Sequence, residues 1–115
     1  MATMARPQGR YEAPLHPPLQ FDAEGFVVDP CTWTAETSRM IAELDDVGPL
    51  GVEHWRMIWH LRARYLLGCT LLGVRRLAED CQARDSVREL FGSCREAWRV
   101  AGLPDPGTDA KAVMD

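Results

Sequence analysis

The segment from Val52 to Leu67 constrains the fold more than any other part of the chain. Its apolar residues recur at spacings of three, four and seven, which places them on one face of an α-helix. The predicted buried face consists of Val52, Trp55, Ile58, Trp59 and Leu66. Arg56 and Arg64 lie off this face, and Gly68 ends the helix. A helix of this kind is stabilised mainly by packing against other elements, so we expect a helical bundle.

Helix signals also lie on both sides of this segment. Thr34 is a predicted N-cap before it, and Thr70 is a predicted N-cap after it. The inward-facing residues predicted for these two helices are Met40, Ile41, Leu44, Leu71, Val74, Leu77 and Cys81. Two short helices follow over Ser86–Phe91 and Ser93–Ala101, and Gly102 closes the second.

The N-terminal part of the chain predicts a β-hairpin. Leu19–Phe21 and Phe26–Val28 flank a short turn in which Gly25 can supply a positive φ. Asp29-Pro30 then matches an N-cap followed by proline at the first helical position. Residues 1–18 are proline-rich and are expected to form a disordered leader. The expected fold class is mainly α, with a small N-terminal β-hairpin packed on an orthogonal bundle of about five helices.

Charge and composition narrow the function classes. The net charge of −4 argues against a generic binder of nucleic acid or membrane surfaces. Residues 1–52 carry three arginines and eight acids, whereas residues 53–100 carry nine arginines and six acids, so the basic excess lies in the middle helices. No run approaches the roughly 20 apolar residues of a membrane span, so we expect a cytoplasmic protein without membrane contact. The four cysteines have no zinc spacing, and we expect no metal and no small-molecule cofactor.

Several segments match one known pattern in order and spacing. They are Phe21–Trp33, Glu53-His54-Trp55 with Ile58 and Leu61-Arg62, Arg75 with Leu77, Glu89-Leu90-Phe91, and Val100–Pro106. Together they resemble the DsrC/TusE family of sulfur-relay proteins. The resemblance implies a leader at 1–18, a family domain at 19–104 and a flexible C-terminal arm at 105–115.

The resemblance also implies a chemistry and a set of partners. TusE-like proteins pass persulfide sulfur towards 2-thiouridine in tRNA, and DsrC-like proteins serve dissimilatory sulfite reductase. In both, the essential thiol is the penultimate residue of the arm, and a second cysteine can lie one helix earlier. A thiolate on a mobile arm can reach both a donor persulfide and an acceptor site.

This chain departs from the family at the residues that carry sulfur. Alignment without a gap on Ala101–Pro104 puts the two cysteine positions at Trp98 and Asp109, neither of which can hold sulfane sulfur. Cys94 lies one helical turn before Trp98 and is the best substitute, since Arg95 and Arg99 lie nearby and a first-turn position lowers a thiol pKa.

Three functions remain open. The first is a non-catalytic regulator or scaffold that binds protein partners of the sulfur-relay or sulfite-reductase type. The second is a sulfurtransferase that uses a relocated thiol, Cys94. The third is a helix-turn-helix-like DNA-binding regulator with Arg75, Arg76 and Arg84 on its basic face. Candidate binding residues are Arg75, Arg76, Arg95 and Arg99, and the sequence leaves open whether the chain is an enzyme.

Overall fold

The computed structural model describes residues 19–67 and 71–114, with the side chains of Leu71 and Leu72 excepted. Within these residues the chain forms a 3-10 helix, Pro30–Thr32, and the α-helices α1 Ala35–Leu44, α2 Val52–Leu66, α3 Leu71–Ala83, α4 Asp85–Phe91, α5 Cys94–Val100 and α6 Thr108–Lys111. The prediction of a mainly helical fold is confirmed. The described part has six α-helices rather than about five, because the C-terminal arm forms one of its own.

Short polar side chains cap several helices, and the predicted caps at Thr34 and Asp29 are confirmed. The Thr34 hydroxyl accepts the Thr37 backbone N–H before α1. The Ser93 hydroxyl accepts the Arg95 N–H before α5. The Asp29 carboxylate accepts the Cys31 N–H at 2.9 Å before the 3-10 helix. Each cap satisfies an N–H that has no partner within its own helix.

The predicted β-hairpin is wrong. Residues 19–28 form a tight turn with a single antiparallel bridge, Phe21 to Val27, and the described residues contain no strand. The Asp22 carboxylate accepts the N–H groups of Glu24 and Phe26, which curls the chain locally. Phe26 and Val27 are both fully buried, so the alternation that a two-sided strand requires is absent.

The buried face of α2 differs from the predicted one. Its buried residues are Met57, Ile58, Leu61 and Arg62. Val52, Trp59 and Leu66 are 69%, 55% and 47% exposed, so their assignment to the core is wrong. Apolar residues surround most of this helix, and its packing against α4 and α5 selects the face around Ile58.

The flanking helices give mixed outcomes. In α1 Ile41 is buried as predicted, but Met40 and Leu44 are exposed, because the helix turns Thr37, Ser38 and Ala42 inward instead. In α3 the predicted core positions are confirmed for Val74, Leu77 and Cys81. The predictions for Gly68, Thr70 and the Leu71 side chain lie outside the described residues, as does the leader at 1–18.

Helix α5 lies at the centre of the molecule. It packs against α1, α2, α3 and α4, while α6 packs against α3. Its buried residues include Trp98, the largest fully buried side chain. Across residues 19–67 and 71–114, no helix combines the length and apolar character needed to cross a membrane.

Candidate functional site: the C-terminal arm

The arm leaves α5 through a turn that only glycine fits. Gly102 has φ +72°, and a Cβ at this position would lie 2.1 Å from Trp33 Cδ1. The Gly102 N–H donates to Arg99 O at 3.0 Å, and the Leu103 N–H donates to Trp98 O at 3.3 Å. These bonds close the C-terminus of α5 and aim the arm back across the bundle.

Arg62 fastens this junction from inside the core. Its guanidinium donates to Ala101 O at 2.8 Å, to Gly102 O at 3.3 Å and to Pro30 O at 2.9 Å. Arg62 is 7% exposed, and its pKa is lowered by burial, with the nearby Cys31 acting in the opposite direction. One buried side chain of α2 therefore joins the 3-10 helix to the start of the arm.

Trp33 covers the same junction on its outer side. Its ring lies 4.0 Å from the Arg62 guanidinium carbon, a cation–π contact. The indole N–H donates to Ser38 Oγ at 2.7 Å, and the buried Ser38 hydroxyl donates to Val100 O at 2.5 Å. Trp59 packs edge-on against Trp33 with a centroid separation of 5.2 Å. The junction is thus fixed by hydrogen bonds that are largely shielded from water.

Trp98 occupies the first position at which the resemblance implies a cysteine. Its side chain is fully buried, and its indole N–H donates to Pro104 O at 2.8 Å. Tyr65 packs edge-on against it with a centroid separation of 5.8 Å. The residue at this position therefore fills the core and holds the first segment of the arm.

The rest of the arm is docked on the domain. Ala110 and Met114 are 2% and 0% exposed. The resemblance implies a flexible arm, but the structure presents a packed one, because these two apolar side chains are covered by the bundle. Asp109, the second implied cysteine position, lies in the first turn of α6 and is exposed.

Ion pairs tie this distal segment to the N-terminal turn. Lys111 Nζ lies 2.8 Å from Glu24 Oε2 and 2.9 Å from Asp105 Oδ2. Hydrogen bonds to Glu24 and Asp105 raise the pKa of Lys111. Burial alone would raise the pKa of Asp105, but hydrogen bonds from the Gly107 N–H and from Lys111 outweigh it and lower that pKa. Both shifts favour the charged forms that hold the arm.

Arg95 and Arg99, predicted as binding residues, make intramolecular pairs. Arg95 lies 3.5 Å from Glu24 Oε1, and Arg99 Nη2 lies 3.0 Å from Asp45 Oδ1. The Arg99 guanidinium also packs on Gly25, where a Cβ would lie 2.6 Å from Nη2. The pKa of Asp45 is raised, mainly by burial. The positive charge of Arg99 acts in the opposite direction, and the negative charge of Glu96 adds to the rise. These two arginines hold the N-terminal turn against α5.

Cys94, the candidate catalytic residue, lies in the core. Its side chain is fully buried, and its thiol lies 3.7 Å from Ala78 O. Cys81 is also buried, whereas Cys31 is exposed, and Cys69 lies outside the described residues. In this conformation a donor persulfide has no path to the Cys94 sulfur. Within the described ranges, His, Cys, Asp and Glu form no cluster of three or more that could hold a metal ion.

The remaining candidate binding residues lie on the surface. Arg75 pairs with Glu79 at 3.4 Å on α3, and Arg76 and Arg84 are exposed. The turn between α2 and α3 falls in residues 68–70, so the helix-turn-helix geometry lies outside the described residues.

The contacts that hold the arm were not predicted from the sequence. Arg62 carries a signal, because it lies four residues after Ile58 and seven after Trp55, which places a charge on the apolar face predicted for α2. The Lys111–Glu24 pair joins residues 87 positions apart and has no local signal.

Comparisons with known proteins agree on one family. A family model described as "DsrC like protein" matches residues 16–108 and ends just before Asp109. The chain is 26% identical to "Sulfurtransferase TusE" of Escherichia coli (strain K12) over 98 residues, which cover 76% of this chain and 89% of that protein. It is 29% identical to "Sulfurtransferase TusE" of Sodalis glossinidius over 98 residues, covering 76% and 90%. No solved structure matches it.

Proposed function

The chain belongs to the DsrC-like family of sulfur-relay proteins, and from that premise we propose that it is a non-catalytic member that binds protein partners of the relay without carrying sulfur. In this role it regulates or scaffolds the transfer performed by cysteine-bearing relatives. Its partners are the proteins that donate sulfur to those relatives or accept it from them.

The state of Trp98 carries this proposal. A sulfur carrier needs a thiolate that is exposed and mobile. At the upstream cysteine position the chain has an indole that is fully buried and donates a hydrogen bond to Pro104 O. No cysteine follows Cys94 in the sequence, so the arm has no thiol at all.

The docked arm supports a binding role. The clasp formed by Arg62 and Trp33 keeps the Gly102 junction in one geometry without any sulfur chemistry. A junction of fixed geometry offers a partner a preorganised surface, which lowers the entropic cost of binding. The burial of Cys94 argues against the version of a sulfurtransferase that uses this thiol.

The direct test is persulfide loading followed by mass spectrometry of the intact protein and of its peptides. The expected result is no stable gain of a sulfur atom on any cysteine, with a cysteine-bearing relative loaded in the same reaction. High-occupancy loading of one cysteine overturns the non-catalytic assignment, and loss of that loading in Cys94→Ser would identify the relocated thiol.

Asp109→Cys turns the test into a gain of function. Because Asp109 is exposed on α6, a thiol there is expected to accept sulfur that the wild-type chain does not accept. Thr108→Cys is the matched control, since it puts a thiol on the adjacent exposed residue. Equal loading of both variants would mean that exposure alone, and not the family position, decides reactivity.

A competition experiment tests partner binding. Excess protein added to a reconstituted relay with a cysteine-bearing family member is expected to lower the rate of sulfur transfer by occupying the partner. An unchanged rate at saturating protein would contradict the binding role.

A further inference from the structure

A shallow groove of about 260 Å³ lies between α2 and α4, far along the sequence from the arm. Met57 and Leu90 form its apolar part, and Arg56, His60, Arg84 and Ser86 supply polar groups around it. We call this feature the α2–α4 groove. None of its lining residues belongs to the arm or to the Gly102 junction.

The groove concentrates positive charge that the protein does not neutralise. Arg56 is paired with Glu53 at 3.1 Å, which cancels the one carboxylate in the lining. Arg84 makes no ion pair within 4.0 Å in the described part of the chain, and neither does Arg64, one turn along α2 from His60. The groove is therefore basic although the whole chain is acidic.

The excess positive charge of the groove affects the pKa of His60. Burial lowers its pKa, Arg84 and Arg64 lower it further, and Asp80 acts in the opposite direction. The His60 ring makes no hydrogen bond with any residue that the structure describes, which leaves its nitrogens available to a ligand. The Ser86 hydroxyl adds a neutral donor on the α4 side.

We propose that the α2–α4 groove binds a phosphate group, held by Arg84, His60 and the Ser86 hydroxyl with Arg56 at the edge. A guanidinium presents its N–H groups in a planar fork that matches the oxygens of a phosphate. A phosphate offers more acceptor oxygens and more charge than a carboxylate, so it suits donors that converge from two helices. The volume of the groove suits one such group with part of the molecule that carries it.

Titration calorimetry with inorganic phosphate and pyrophosphate tests the site. Saturable binding is expected, and Arg84→Gln is expected to weaken it about tenfold, since a hydrogen bond to a charged group contributes roughly that factor. Arg75→Gln is the matched control, because it removes an exposed arginine of α3 outside the groove and should leave affinity unchanged. Thermal denaturation of both variants checks that the fold is intact.

Proton linkage gives a second, independent readout. A bound anion favours the imidazolium, so phosphate is expected to raise the pKa of His60. The charged and ionisable groups around His60 are Glu53, Arg56 and Arg64 on α2, Asp80 on α3, and Arg84. Histidine is the side-chain type that ordinarily changes charge near neutral pH, and NMR signals of the His60 ring follow the shift directly.

His54 is an internal control for an NMR titration of the histidine rings. Its Nδ1 accepts the Gly51 N–H, and its Nε2 donates to Leu90 O, so its ring is already engaged. Phosphate is expected to shift the NMR signals of the His60 ring and to leave those of the His54 ring in place.

Further arms identify the source of the phosphate. If a short oligonucleotide displaces pyrophosphate and its affinity falls steeply with salt, the phosphate belongs to a nucleic-acid backbone. If phosphate and pyrophosphate bind but the oligonucleotide does not, the phosphate belongs to a small phosphorylated molecule. No saturable phosphate binding, or acetate binding as tightly as phosphate, or an unchanged affinity in Arg84→Gln, overturns the proposal.

Discussion

The two ends of the C-terminal arm are held by different kinds of interaction. At the junction, buried Arg62 binds backbone carbonyls, and the Trp33 ring covers Arg62 and packs on Gly102. At the distal end, Lys111 makes surface ion pairs and the Met114 side chain is fully buried. Buried polar groups are costly to unpair, whereas surface pairs contribute little and are screened by salt. We therefore expect the junction to be part of the global fold and the distal arm to detach on its own.

The largest expected effect comes from removing the buried clasp. Arg62→Ala leaves the carbonyls of Pro30, Ala101 and Gly102 without this donor, and we expect the free energy of unfolding to fall by about 3 kcal/mol. Urea denaturation measures the change. Arg56→Ala removes an arginine that is exposed on the same helix, and we expect it to stay within about 0.5 kcal/mol of wild type. Equal losses in the two variants would contradict the special role of Arg62.

The next largest effect on stability is expected at Gly102, which can be compared with Gly107 because both glycines have a positive φ. Gly102→Ala introduces a Cβ 2.1 Å from the Trp33 ring at φ +72°, and we expect a loss of about 2 kcal/mol or more. Gly107→Ala has φ +97° but no atom within 4 Å, so backbone strain alone should cost about 1 kcal/mol. Comparing the two by thermal unfolding separates the steric contact at the junction from strain in the arm. A larger loss of stability in Gly107→Ala than in Gly102→Ala would contradict the expectation that the junction contributes more to stability than the distal arm.

A smaller effect is expected from the apolar contact of the distal arm. Replacing a buried methionine by alanine in a core costs about 2–5 kcal/mol, but an arm that can detach limits the loss to its own docking energy. We therefore expect Met114→Ala to lower global stability by only about 1 kcal/mol. Amide hydrogen exchange in this variant should accelerate at Lys111 and Ala112 and stay slow at Leu103. A loss as large as that of Arg62→Ala would mean that the distal arm is integral to the fold.

The smallest effect on the fold, and the clearest dependence on pH, belongs to Lys111. Because its pKa is raised, its contribution is fully present below the ordinary value of 10.5 and is lost as pH rises through the raised pKa. Because the pKa of Asp105 is lowered, its contribution is present above the ordinary value of 3.8 and is lost as pH falls through the lowered pKa. The protection factors of the α6 amides, which are corrected for the intrinsic pH dependence of exchange, should therefore be highest between these limits. Lys111→Gln should remove the alkaline limb, and a persistent limb in this variant would assign it to another group.

Local features of the fold were predictable from the sequence, and long-range choices were not. The predicted caps at Thr34 and Asp29 depend on a few neighbouring residues, and both are present. The buried face of α2 was not predictable in this way. Apolar residues lie on nearly all sides of this helix, and its packing against other helices decides which of them are buried. Trp59 follows the predicted repeat yet is more than half exposed.

The candidate site was likewise predictable where a local motif marks it and not where long-range contacts form it. The junction sequence Ala101–Pro104 indicated the family, and the alignment on it located Trp98 and Asp109. The packing that fixes the arm depends on contacts between residues tens of positions apart, such as Arg62 with Ala101. Burial of Cys94 likewise depends on how α3 covers the start of α5, which no local pattern records.

The buried indole at position 98 also limits which substitutions the chain can accept there. Cysteine at this position would exchange the largest fully buried side chain of the described residues for a much smaller one and would remove the donor to Pro104 O. Trp98→Cys would therefore open a cavity in the core. A thiol cannot be placed at position 98 of this fold without a loss of packing, so one substitution would change reactivity and stability together.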